Sequence, residues 1–330
     1  MIPRSQGVLC PVEVSEVWGD ANLADVYDAI LGFSGGGAGF KMPSFPCVVA
    51  QLLHALRYAH AAGVEHNDVH VGNLFVWKQS ARRSHFPQVA LGDWELASPW
   101  KQTQRADALF DCPGYPNVPP ERALPYNASC SLGALAQGGT PRTLTPWSTD
   151  SWKLGNCIVE LATGLPVLPT LSLMSSPGEA FGPLNCARAQ RELMQLQAAT
   201  RNASSMRHFM HRRDFMRRRS EKKPVDILSI MFGSEAAAAC STDRAVDLAS
   251  PTCQRMQQVR GNLGQAQRNR HDHAAGTLRL FGTNGTNLGF DLLKSMLEWD
   301  PQRRITPHGA LQHPWFSHVL DSRCPAYPLS

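Results

Sequence analysis

The sequence predicts an α+β fold that is mostly helical. Three observations carry this expectation. Residues 45–62 place Val48, Val49, Leu52, Leu53, Leu56 and Ala59 on one helical face, with Gly63 positioned to cap the C-terminus. Two short apolar runs, Leu74–Val76 and Val89–Leu91, then read as strands of a small hairpin whose loop carries Arg82 and Arg83. Helical patterns return at about 150–163, stopped by Gly164 and Pro166, and at 288–299 and 307–313 near the end.

The remaining elements follow in order. Residues 8–14 read as a short strand, placed at an edge by Pro11. Residues 22–32 space Leu23, Val26, Ile30 and Leu31 roughly as a helix, and Ser34–Gly39 is a flexible loop. Residues 95–149 are irregular and rich in Pro, Gly and Ser. Residues 186–285 are mixed: helical but polar at 188–200, very basic at 207–223, Ala-rich at 235–240 and Gln/Arg-rich at 254–270. The closing helix begins near Thr306-Pro307 and ends before Pro314.

Composition narrows the class. With 330 residues, 43% of them hydrophobic, the chain can bury a sizeable core, which excludes a wholly disordered protein. The nine cysteines are scattered and form no CxxC pair, which argues against a dense disulfide framework and a zinc ribbon. The N-terminus lacks a signal-like apolar stretch, and no run reaches the roughly 20 apolar residues of a membrane span. The expected location is intracellular, cytoplasmic or nuclear. The net charge of +5 is local: residues 207–223 carry +6, leaving the rest at −1. That run suits contact with nucleic acid or an acidic partner, and as an insert it also reads as a solvated face.

The chemistry concentrates in Val64-Glu-His66-Asn67-Asp68-Val-His70-Val-Gly-Asn73-Leu-Phe-Val76. An Asp followed five residues later by an Asn, between a helix and a strand, suits phosphoryl transfer. The carboxylate orients a hydroxyl and takes its proton, and the amide oxygen holds a magnesium ion. A second carboxylate, Asp93 in Gly92-Asp-Trp-Glu95, follows the next strand and suits a metal that bridges nucleotide phosphates.

Together these segments resemble the large lobe of a eukaryotic-type protein kinase. His66-Asn67-Asp68 with Asn73 resembles the H-R-D-x-x-x-x-N loop, and Asp93-Trp94-Glu95 resembles D-F-G. Pro119-Pro-Glu121 resembles A-P-E. Asp150–Gly155 with Val159–Gly164 resembles the buried helix under the catalytic loop, and Leu293–Phe316 resembles the end of the domain. The resemblance implies a kinase-like fold using ATP and magnesium. Asp68, His70 and Asn73 would be catalytic, and Asn73 with Asp93 would bind magnesium and cofactor. His66, Glu121, Asp150 and Arg304 would be structural. Glu121 and Arg304 would pair to tie the activation segment to the late helices, and Asp150 would accept hydrogen bonds from the catalytic-loop backbone.

The departures are specific. Asn67 replaces the usual arginine, so the charge that would answer activation-segment phosphorylation is missing. His70 stands where Ser/Thr kinases often carry lysine, a weaker and pH-dependent partner for a transferring phosphate. Glu95 replaces the D-F-G glycine, which limits backbone freedom there. No Gly-rich lid precedes a V-A-I-K-type lysine.

The domain reading is therefore 1–20 as a vestigial small lobe and hinge, 21–185 as the large lobe, 186–285 as a low-complexity basic insert, 286–320 as the end of the lobe, and 321–330 as a tail. The implied function is Mg-ATP-dependent transfer to protein Ser/Thr, weak or inactive in this chain, with a protein as substrate or partner. The alternatives are a pseudokinase-type binding scaffold and a small-molecule phosphotransferase, whose H-x-D-x-x-x-x-N loop the sequence also resembles.

Overall fold

The computed structural model describes residues 44–77, 88–100, 119–121, 145–163, 165, 167–168, 183–220, 251, 253–258, 277–282, 286–320 and 324. The strand expected at 8–14, the helix at 22–32, the small-lobe remnant at 1–20, the Gly-rich loop and the Ala-rich stretch at 235–240 lie outside them.

Helix α1 (Ser44–Ala61) buries the expected face: Val48, Val49, Leu52, Leu53 and Leu56 are all sealed from solvent. The chain leaves it through Gly63, whose φ of 79° lies in the left-handed region that favours glycine. Strand β1 (Val64–Glu65) follows. Strands β2 (Leu74–Trp77) and β3 (Gln88–Leu91) form the antiparallel hairpin, with Leu74 opposite Leu91. A short strand β4 (Ser98–Pro99), in a stretch expected to be irregular, pairs antiparallel with β1.

Helix α2 (Ser148–Thr163) is buried along its whole length except at Glu160. A helix enclosed on all sides is a central element rather than a surface one. Helices α3 (Pro183–Ala199) and α4 (Ala203–Ser220) pack together, and α4 also contacts α2 and helix α5 (Leu288–Met296). Leu196, Met206 and Met210 join the same core as α1 and α2. The residues composition assigns to a basic insert thus supply part of the hydrophobic core.

The ending also differs in detail. Helix α6 (Pro307–Leu311) is capped by Thr306, whose Oγ1 accepts from Gly309 N–H at 3.1 Å. Helix α6 ends before Pro314, as expected, and Pro314 then begins a further helix. It occupies the first turn of helix α7 (Pro314–Val319), where a missing N–H costs nothing, and His313 caps that helix. Trp315, Phe316, Phe281 and Phe290 stack into one aromatic cluster behind α1. Cys47 of α1 and Cys324 form a disulfide, a pairing the scattered cysteines did not suggest. Among the described residues no helix is long and apolar enough to cross a membrane.

Candidate active site

The loop between β1 and β2 is held from below by α2. Asp150 is fully buried and offers two oxygens to three donors. Oδ2 accepts from His60 Nε2 at 2.8 Å and from His66 N–H at 2.9 Å, while Oδ1 accepts from Asn67 N–H at 2.9 Å. Burial acts to raise its pKa, but the His60 hydrogen bond and charge, the His66 charge and the His66 N–H outweigh it and hold the carboxyl below its ordinary value. Lys153, one turn further along α2, donates to Asn67 O. These contacts stabilise Asn67 at a φ of 63°, a left-handed conformation that Asn tolerates better than most residues.

Fixing Asn67 places Asp68. The Asn73 amide donates to Asp68 O at 2.9 Å and to Asp68 Oδ2 at 3.1 Å. His70 Nε2 lies 3.5 Å from the same Oδ2. Burial acts to raise the Asp68 pKa, but His70, Lys153 and the Asn73 amide together hold it below its ordinary value. Asp68 is therefore an ionised carboxylate at neutral pH, able to accept a hydrogen bond from a hydroxyl.

The hairpin brings in the second carboxylate. Gly92 N–H donates to Asn73 O at 2.9 Å, extending the β2–β3 ladder by one step. Asp93, the next residue, is exposed and adopts a φ of 58°. The Asn73 nitrogen is committed to Asp68, so Oδ1 is the side chain's remaining ligand atom. An amide oxygen with a carboxylate one register step away is a hard-oxygen set that fits magnesium, which takes few protein ligands and completes its shell with water and phosphate. Among the described residues no group of three His, Cys, Asp or Glu is arranged to hold a metal. The H-x-x-x-H spacing of His66 and His70 makes no zinc site: His66 donates from Nε2 to Gly92 O at 3.0 Å and accepts on Nδ1 from Asp68 N–H at 3.2 Å.

His66 also carries Trp94 on its ring, with centroids 4.3 Å apart, and Trp94 donates its indole N–H to Leu91 O at 3.0 Å. Glu95 points into solvent. Asn67, in the place of arginine, donates its side-chain amide to Glu65 O, Leu96 O and Ser98 Oγ at 3.0–3.3 Å. It joins the β1–β2 loop to the segment after Asp93 without charge.

Glu121 and Arg304 meet in a two-pronged ion pair, Nη1–Oε1 at 2.6 Å and Nη2–Oε2 at 2.9 Å, with both side chains fully buried. Arg304 further donates to Ser148 O and Glu298 O and lies 4.9 Å over the Trp152 ring. Residues 119–121 are thereby anchored to the start of α2 and to the turn that follows α5. The basic run is not uniformly solvated. Arg207 and Arg212 are exposed, but Arg213 is buried with its guanidinium 5.1 Å over the Phe209 ring.

Sequence reading missed several functional neighbours. His60 sits on α1 and stacks on Trp147 with centroids 4.5 Å apart. Buried Glu65 accepts from Trp147 N–H at 2.8 Å. Lys153 reaches the loop from α2, and on the same helix burial pushes the Glu160 carboxyl up to about 7 against the pull of His70. Charged residues inside an otherwise apolar helix pattern were the only signal available for the last two.

A buried helix that pins an Asp-x-x-x-x-Asn loop, beside a hairpin ending in a second Asp, is the arrangement of a protein kinase-like large lobe. The protein kinase domain model matches residues 36–316. The chain belongs to the protein kinase family. It is also 28% identical over 133 residues to a probable serine/threonine-protein kinase of Arabidopsis thaliana, a match covering 40% of this chain and 15% of that relative.

Proposed function

We propose that the chain performs Mg-ATP-dependent phosphoryl transfer to Ser or Thr hydroxyls of a protein. The observation that carries this reading is the Asn73 amide, which holds the Asp68 carboxylate while sitting one ladder step from Asp93. Asp68 accepts the substrate hydroxyl's hydrogen bond and takes its proton, and the fixed loop sets its approach to the phosphate. Magnesium, when bound with ATP, supplies charge neutralisation to the phosphates. Asn73 Oδ1 and the Asp93 carboxylate are the groups suited to hold it. The Ser/Thr preference follows from the Arg304-Ile-Thr and His313-Pro-Trp-Phe316 endings and from the name of the Arabidopsis relative.

Turnover by these 330 residues is weak in this reading, because their sequence holds no Gly-rich lid before a lysine of the V-A-I-K type. The exposed Arg207 and Arg212 on α4 suit an acidic partner.

The test is a melting curve with and without Mg-ATP, followed by labelled phosphate transfer to a mixed protein substrate. Saturating nucleotide at about 100 times Kd stabilises a competent fold by about 2.7 kcal/mol. The expected result is a raised Tm and slow transfer that Asp68→Asn abolishes. An unmoved Tm and no transfer would overturn the reading in favour of a binding scaffold.

A further inference from the structure

His70 has two roles that its place in the loop does not announce. It caps the single 3-10 turn Val71–Asn73: its Nδ1 accepts from Gly72 N–H at 3.0 Å. A nitrogen that accepts a backbone N–H carries no proton, so in the neutral ring the proton resides on Nε2. Nε2 is the atom that faces Asp68 Oδ2 at 3.5 Å.

Gly72 makes this arrangement fit. A Cβ there would lie 2.8 Å from His70 Cε1 and 3.0 Å from Nδ1, closer than side-chain atoms normally approach. The ring can fold back over its own turn only because residue 72 has no side chain. Among the described residues, Glu160 of α2 feels the charge of His70, and Lys153 acts on Asp68 beside it.

The contacts on Asp68 are lopsided. Both the Asn73 amide and His70 Nε2 converge on Oδ2. The oxygen they leave for a substrate hydroxyl is Oδ1.

We propose that His70 is a positioning residue: Gly72 locks its tautomer, its Nε2–H and the Asn73 amide clamp Asp68 Oδ2, and Oδ1 is the oxygen that receives the hydroxyl proton. The inference rests on the phosphoryl-transfer reading for its consequence and on the loop geometry for its content. It replaces the expectation that His70 answers the transferring phosphate.

Two substitutions separate the cap from the clamp. The Asn side chain ends near the position of Nδ1 and keeps the cap. The Gln side chain reaches the position of Nε2 and keeps the donor. His70→Asn should lower kcat about tenfold, the scale of one hydrogen bond to a charged group, with KM for ATP unchanged. His70→Gln should recover most of that loss. The opposite order would show a cap and no clamp, and would overturn the inference.

A second readout does not need activity. Imidazole nitrogen-15 spectra, with the His70 signals assigned by their loss in His70→Asn, report the tautomer directly. The wild-type protein should show a single Nε2–H tautomer, Gly72→Ala should release it to a mixture, and Asp68→Asn should move the Nε2 signal. A wild-type mixture, or an Nε2 signal indifferent to Asp68→Asn, would overturn the clamp. If the wild-type chain transfers no phosphate, the phosphoryl-transfer reading falls, while the nitrogen spectra still decide the geometry of His70.

Discussion

Asp150→Asn is the sharpest perturbation of the link between core and site. The substitution preserves shape and converts one acceptor oxygen into an NH2 donor. In one orientation that donor faces Asn67 N–H, and in the other it faces His66 N–H. Either way one buried backbone donor loses its acceptor, at about 1–3 kcal/mol. The surviving contacts lose their charge assistance, which adds about 1 kcal/mol each. The expected cost is about 3–5 kcal/mol, read as a lower urea midpoint at unchanged m, with both proteins oxidised. The pH dependence has a definite sign. The Asp150 carboxyl is held below its ordinary value of 3.8, so its contribution is complete above that value and is lost only as pH falls through the lower, folded one. The gap between the two proteins therefore does not shrink between pH 7 and pH 5. A gap under about 1 kcal/mol at pH 7, or one that closes before pH 5, would refute the reasoning.

Arg304→Met leaves the buried Glu121 carboxylate unpaired and should cost about 3–5 kcal/mol in the same urea assay, whereas Glu121→Gln keeps an accepting oxygen and should cost about 1–2 kcal/mol. Equal costs would remove the ion pair from the account of how residues 119–121 are anchored. The Cys47–Cys324 disulfide spans 277 residues. Closing so long a loop stabilises by about 5 kcal/mol at the upper end of the chain-entropy account, so Cys324→Ser or added reductant should lower the Tm by several degrees. A melting curve indifferent to reductant would contradict that.

What residue spacing disclosed was local, while the two long-range expectations that the structure meets, Glu121 with Arg304 and Asp150 with the loop backbone, came from the family resemblance. Apolar spacing located α1, its Gly63 stop, the β2–β3 hairpin and α2 to within a few residues. Asp68 and Asn73, five residues apart, do lie in hydrogen-bond contact, and Asp93 follows one step beyond the Gly92–Asn73 ladder bond, because short spacings fix loop geometry. The stop before Pro314 held, since α6 ends at Leu311, but the helix that Pro314 itself begins went unread, because proline both ends helices and begins them and only the cap at His313 decides between the two. The basic run in α4 misled because charge count hides the two positions, Met206 and Met210, that enter the core. His60 with Asp150, Lys153 with Asn67 and Cys47 with Cys324 were illegible for one reason. Their partners are 90, 86 and 277 residues apart, and no periodicity records such distances.

The Asn67 substitution shows how the long-range contacts alter the meaning of a motif. Read as a motif, it is the loss of an arginine, and with it of a cation that a phosphorylated segment would seek. In the structure the amide does other work: it binds Glu65 O, Leu96 O and Ser98 Oγ, and its own carbonyl is taken by Lys153. A neutral amide has none of the guanidinium's fixed charge or forked geometry for phosphate. The segment after Asp93 is therefore held to the loop by bonds already made, and β4 completes the attachment by pairing with β1. The positive charge in this region comes instead from Lys153, which rises from the buried helix and acts on Asp68 from beneath. The loop is thus organised from the core side, through Asp150 and Lys153.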